Sequence, residues 1–430
     1  GTFYPGAMTL GATHNKENAY LTGKYMGTEL INLGINLNLA PVLDDNNNPN
    51  NPVIGVRSFS DNPKMVSEFG NEFIRGMQEN VIATAKHFPG HGDTQVDSHL
   101  ALPTIDYDVE RLEKIELYPF KEAIKKGVKA IMSSHINFPA FTEDGLPTTL
   151  SKKCITGLLR EKLGFKGLVV TDCMQMKAIQ DNYTTPIGTL MAINAGANLV
   201  CISHSERLQT ESVKKLYDAV KENELTLETI NERVQKILQY KEEIRTDSKK
   251  YYHEVKHLVE SKENKDFAYQ AVVDGISLVK GNPISNLDNT LVIAVNPIAT
   301  TIADEEDGVM DIISNINKEI PHLDTTRITV YLSKDEINSV VQKARLYKQV
   351  VFCSYNANIY KSQIDLIESL CKEVDTLHVV AMRNPYDLFH TKAIQNFTCF
   401  YEYTPNSIVA FVEYLKGNIK PKGKPPVIYE

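Results

Sequence analysis

The chain has 430 residues, enough at roughly 150 residues per domain for two or three domains with substantial cores. A hydrophobic fraction of 42%, a charged fraction of 23% and a formal charge of −8 are those of an ordinary globular protein. They leave no basic patch for nucleic acid, and no apolar run reaches the roughly 18 residues of a membrane span. Up to about residue 240, short β-rich runs alternate with helical patterns. "INLNLAPVLD", "VIATAKHF", "KAIMSSHI", "KGLVVTD" and "ANLVCIS" have strand length. Between them, "RLEKIELYPFKEAIKKG" and "TTLSKKCITGLLREKLG" read as helices ending at glycine, and "LETINERVQKILQYKEEI" closes the region. The alternation predicts parallel strands covered by helices. A charged linker follows. From about residue 265, "GISLVKG", "TLVIAVNP", "ITVYLS", "QVVFCSY", "LHVVAMRNP" and "FTCFYEY" predict the strands of a second, smaller α/β domain. That domain carries no G-x-G-x-x-G or Walker pattern, so no nucleotide is assigned to it.

The residues with chemistry fall at or just after the ends of the predicted strands: Asp44 and Asp45, His87, His135 and Asp172. In β/α proteins that is where ligands bind. The densest stretch is "KHFPGHGDTQVDSH", residues 86–99, with three histidines and two aspartates. A metal site built from His87, His91 and His99 with Asp93 or Asp97 is one reading. However, "FPGHG" cannot be helical, so His87 and His91 do not share a face as they would in H-E-x-x-H. A polar loop whose histidines bond backbone is a second reading. The third is an acid/base pair, in which Asp97 fixes the tautomer of His99 and leaves its other nitrogen to move protons. Asp172, following a buried strand, reads as a nucleophile or as a helix N-cap. Lys86, His87 and Arg57 read as donors to substrate hydroxyls, with a surface ion pair as the alternative for Arg57. The six scattered cysteines form no C-x-x-C pair and read as buried thiols of a reducing compartment. No signal peptide is visible, so a cytoplasmic location is expected over secretion, although residue 1 need not be the native start. Without tryptophan, any sugar-stacking face must use Tyr, Phe or Met.

The loop string, together with "APVLDDNNNPNNPVIGVRSFS" before it and "GLVVTDCMQMKAI" after it, resembles glycoside hydrolase family 3. Within that family the resemblance is to the bacterial β-N-acetylglucosaminidases (β-hexosaminidases) that trim peptidoglycan fragments. It runs in order through about residues 1–240, and the later region has the two-domain arrangement of the Gram-positive members. The implied fold is a (β/α)8 TIM-type barrel over residues 1–242, a linker over 243–264 and a smaller α/β sandwich domain over 265–430. The implied site has Asp172 as nucleophile, His99 as general acid/base and Asp97 as its orienting carboxylate. Arg57, Lys86 and His87 bind the sugar, and no cofactor or metal is needed. The partner is a small carbohydrate, an N-acetylglucosaminide or muropeptide, with neither nucleic acid nor a membrane span. The oligomeric state is not legible.

Two departures from the family pattern stand out. Family members carry a D-x-E-G-G strand upstream of "FYPGAMTLGAT", and only five strands precede residue 240 here against eight in a complete barrel. The N-terminal strands are therefore expected to be missing from this chain or supplied by another polypeptide. Where some relatives have S-D-D-L, this chain has T-D-C-M, which leaves one aspartate as nucleophile. The implied reaction is retaining exo-hydrolysis through a glycosyl-enzyme. Its rivals are a phosphorylase, since a neutral histidine does not repel phosphate, a β-glucosidase, and a non-catalytic sugar-binding module.

Overall fold

The computed structural model describes residues 1–94, 102–143, 145–244, 252–298 and 311–429. Its contacts divide the chain into two compact units. One comprises Ala19–Ile54 and Asp61–Val259, the other Gly1–Asn18, Gly55–Ser60 and Glu260–Glu430.

In the first unit, five strands form one parallel sheet in chain order: β1 (Leu37–Asn38), β2 (Ile82–Phe88), β3 (Ala130–Ser133), β4 (Leu168–Cys173) and β5 (Leu199–Cys201). Sequential order with helical crossovers is the pattern of a β/α barrel wall. Each of the five strands overlaps the apolar run that predicted it, although β1 takes only two residues of its run and β5 three. The pattern expected to be one helix over 111–127 is instead two, Val109–Lys114 and Leu117–Lys125, broken at Ile115 and Glu116. The break falls four residues before Pro119, which has no N–H for the Ile115 carbonyl. Beside it the Glu116 carboxylate is buried against the Arg111 guanidinium, which donates from Nη1 to both oxygens at 2.9 and 2.7 Å. One face of the sheet carries Ile82, Ala130, Met132, Leu168 and Val170 in a shared core with Ile244. Strands buried on both faces are built from continuous apolar runs, and β3 is buried throughout.

The second unit contains β6 (Ser277–Lys280), β7 (Thr290–Val295), β8 (Asp324–Ile328), β9 (Gln349–Ser354), β10 (Thr376–Ala381) and β11 (Asn396–Cys399). Their order is β6-β11-β10-β9-β7-β8, parallel except for β6, which runs antiparallel to β11. Alternate residues of β7 feed two cores, Leu291, Ile293 and Val295 on one face and Val292 and Ala294 on the other. Each face is covered by helices, so the unit is an α/β sandwich. One expectation fails here. The run "ITVYLS" was expected as a strand, whereas β8 ends at Ile328, the first residue of that run. Its neighbour β7 stops at Val295, which pairs with Ile328, so residues beyond have no ladder partner.

The segments Gly1–Asn18 and Gly55–Ser60 join this unit by close backbone approach. A Cβ on Gly11 would stand 2.0 Å from the Phe59 carbonyl oxygen, and buried Glu402 accepts from Gly6 N at 2.8 Å and Thr9 Oγ1 at 2.6 Å. No helix among the described residues is long and apolar enough to cross a membrane.

Candidate active site

At the carboxyl end of β2 the chain carries Lys86 and His87, and the ladder to β3 slips between Ala85 and Phe88. Asp44, fully buried after β1, organises this corner. It accepts from His87 N at 3.1 Å, from His91 N at 2.8 Å, and faces His87 Nδ1 at 2.7 Å. Burial alone would raise the Asp44 carboxyl, but the two histidines outweigh it and hold the group below its usual range. With Nδ1 committed to Asp44, the other ring nitrogen of His87 is directed to Asp172: Nε2 lies 4.0 Å from Asp172 Oδ2. The carboxylate thus selects the tautomer and aims the ring.

Asp172 lies near the end of β4. Its Oδ1 accepts the N–H of Cys173 at 2.7 Å, which leaves Oδ2 toward His87, and 26% of its side chain is open to solvent. Burial again works against the charge. His87, His135, the Cys173 N–H and Lys86 together overcome it and lower the carboxyl to about 2. The group is therefore an anion across the whole neutral and mildly acidic range. Of its two sequence readings, nucleophile and helix cap, the second does not hold: the next helix begins at Lys177 and takes no side-chain cap from Asp172.

The glycine-rich turn is shaped by close packing. Gly90 has φ +149, and a Cβ there would meet Glu116 Cβ at 2.7 Å; a Cβ on Gly92 would lie 1.5 Å from the Asp45 carbonyl oxygen. Asn51, from the asparagine-rich stretch, clamps the turn. Its Nδ2 donates to the carbonyls of His91 at 2.8 Å and Gly92 at 2.9 Å, while its Oδ1 accepts from Val53 N and Ile54 N. His91 Nδ1 pairs with Thr94 Oγ1 at 2.9 Å. Asp45 is buried, with no hydrogen-bond partner for either oxygen among the described residues. Burial and the neighbouring Glu116 and Asp44 carboxylates push it well above its ordinary value.

The structure thus brings together Lys86, His87 and Asp172. Arg57 ends the short turn Gly55–Arg57 in the other compact unit, half-buried, where a Cβ on Gly55 would stand 2.6 Å from Asn384 Oδ1. Asp97 and His99 lie outside the described residues. Among the described residues no group of three or more His, Cys, Asp or Glu side chains is arranged to hold a metal. Asp44 and Asn51 were not assigned a role from sequence. Asp44 was visible as a polar strand end, but Asn51 is one asparagine among several.

Parallel strands in sequential order, with an aspartate and its histidine at their carboxyl ends, have the architecture of part of a β/α-barrel wall. The sequence model of the glycosyl hydrolase family 3 N terminal domain matches residues 1–240. A solved family 3 β-N-acetylglucosaminidase from Paenibacillus sp. str. FPU-7 superposes with a TM-score of 0.89 at 35% identity, covering 100% of this chain and 83% of that one. The chain belongs to glycosyl hydrolase family 3. β-Hexosaminidase A of Pseudoalteromonas piscicida is 36% identical over 261 residues, 56% of this chain and 44% of that protein. A β-hexosaminidase of Hydrogenovibrio crunogenus is 33% identical over 187 residues, 43% of this chain and 52% of that protein. The chain spans about half the length of these curated relatives. A β-glucoside phosphorylase shares the fold, with a TM-score of 0.85 at 22% identity.

Proposed function

We propose that this protein is a retaining exo-β-N-acetylglucosaminidase that removes terminal β-linked N-acetylglucosamine from peptidoglycan fragments or related glycosides. The observation that carries this reading is Asp172: an anion with one oxygen tied to the backbone, the other facing a histidine, and a quarter of its surface open. Family membership and the names of the similar proteins support the sugar class.

Asp172 Oδ2 attacks the anomeric carbon as the bond to the leaving oxygen breaks, and His99 gives that oxygen its proton. His99 then takes a proton from water, whose oxygen attacks the same carbon and frees Asp172. Asp97 orients His99. Lys86 and His87 hold the sugar hydroxyls, His87 being kept in its donating orientation by Asp44, and the family resemblance gives Arg57 a sugar-binding role as well. The six unpaired cysteines support a reducing, cytoplasmic setting.

A panel of nitrophenyl β-glycosides tests the reading. Turnover is expected for N-acetylglucosaminide, with far less for glucoside and xyloside. In Asp172→Asn it is expected to fall more than about a thousandfold, ~4 kcal/mol of barrier, with product still bound. Binding without turnover in the unsubstituted protein, preference for glucoside, or sugar 1-phosphate formed when phosphate is added would each replace it.

A further inference from the structure

His135 follows β3, is buried, and is not used by the reaction as proposed above. Both of its ring nitrogens have partners. Nδ1 lies 2.9 Å from Thr149 Oγ1, and Nε2 lies 3.0 Å from the Cys173 carbonyl oxygen. A carbonyl oxygen only accepts, so Nε2 carries a proton and donates it. The opposite side of the ring is braced: Thr149 Oγ1 also bonds the Ser134 carbonyl at 2.8 Å and Ser133 Oγ at 2.9 Å, which ties the imidazole to the end of β3. Cys173 is the residue whose N–H holds Asp172 Oδ1. His135 therefore grips the chain one residue beyond Asp172, from the neighbouring strand.

We propose that His135 is a positioning residue for the nucleophile: by holding the Cys173 carbonyl it keeps the Cys173 N–H on Asp172 Oδ1 and so aims Oδ2 into the site. This rests on Asp172 being the nucleophile. The physical reason for such a brace is the slip in register between β4 and β5, from Val170–Leu199 to Cys173–Cys201. At Asp172 the ladder does not hold the backbone in regular pairing, and the imidazole supplies a fixed point there. The groups facing Asp172 are Lys86 and His87 from β2, His135 from beyond β3 and Cys201 from β5, with Asp44 behind His87. Removing His135 withdraws one of the groups that favour the Asp172 anion.

The test compares His135→Leu with His135→Gln, whose amide N–H can still reach a carbonyl, using an activated aryl N-acetylglucosaminide. His135→Leu is expected to lose about 10–100-fold in kcat, the scale of a small misplacement of a reacting group, with KM changed less than about threefold. Its acid limb of kcat/KM is expected to move to higher pH, because Asp172 then protonates more readily. His135→Gln is expected to recover most of kcat. Melting temperatures of both variants report on folding, which by itself moves neither the acid limb nor the ratio of kcat to KM. An unshifted acid limb in His135→Leu, or equal losses in the two variants tracking their melting temperatures, overturns the proposal. Asp172→Asn is measured alongside: if it retains turnover, the nucleophile assignment fails instead, whatever the His135 variants do.

Discussion

Asp44 and Asp45 are adjacent aspartates in the same buried corner, yet they are driven in opposite directions. Asp44 has histidine donors on both oxygens, which hold it below its usual range; Asp45 has carboxylate neighbours and, among the described residues, no donor, and burial drives it well above its usual range. The difference is one of partners, since both are buried. Asp44→Asn preserves size while removing the charge and one acceptor oxygen. It is expected to weaken sugar binding through a mis-aimed His87, with KM for N-acetylglucosaminide raised about tenfold or more and stability lowered by about 1–3 kcal/mol. Steady-state kinetics and denaturant midpoints check the two effects separately. A KM unchanged in a correctly folded variant would show that His87 is aimed by something else.

At the scale of elements, the histidine-bearing turn is held from outside itself. Asn51 bonds two of its carbonyls and two backbone N–H groups of its own stretch. Asn51→Asp keeps the acceptor for Val53 and Ile54 but sets a carboxylate against the carbonyl oxygens of His91 and Gly92. It is expected to lower stability by about 2–4 kcal/mol, read from chemical denaturation, and to reduce activity because the turn is displaced. Gly92→Ala is expected to act more severely, because a Cβ cannot fit 1.5 Å from the Asp45 carbonyl oxygen and backbone must shift. A crystal structure of the Ala variant with an unmoved turn would contradict that close packing.

For the whole molecule, pH-dependent stability joins parts of the chain that the reaction does not. In the second unit, Asp387 is fully buried and accepts from Ser354 Oγ; burial raises its carboxyl to about 7 against the Ser354 bond and Lys361. Its folded value lies above the unfolded one of about 3.9. Between about pH 4 and pH 7 the unfolded chain has therefore released a proton that the folded chain keeps. Stability is expected to fall as pH rises through that window, by on the order of 2–4 kcal/mol, and to level off above it. Asp44 and Asp172 contribute the opposite way: their stabilisation is present above about 4 and lost as pH falls below it, for Asp172 toward about 2. Urea unfolding between pH 3 and 8 should show a maximum in mild acid, and Asp387→Asn should make its upper side less steep, the raised carboxyl of Asp45 acting in the same direction. An unchanged upper side would remove Asp387 as the cause.

Short apolar runs located the strands of the first sheet, and for β2, β3 and β4 the reason is burial along most of their length, which demands a continuous apolar run. Strand ends were legible too, since polar residues there break the run. Asp172, His87 and His135 thereby stand at or just after strand ends in the sequence itself. Two features could not be read this way. The end of β8 depends on where its neighbour stops, and the pairing of the buried Glu116 carboxylate with Arg111 depends on packing. The partners within the site are the clearest case. Asp44 meets residues 43 and 47 positions away, Asn51 clamps a turn 40 positions on, and His135 grips a carbonyl 38 positions on. Side-chain identity and local pattern determine which groups are available and at which strand end they stand. Which oxygen meets which nitrogen, and so which carboxyl stays charged, is set by distances between distant segments, and only the packed sheet creates those.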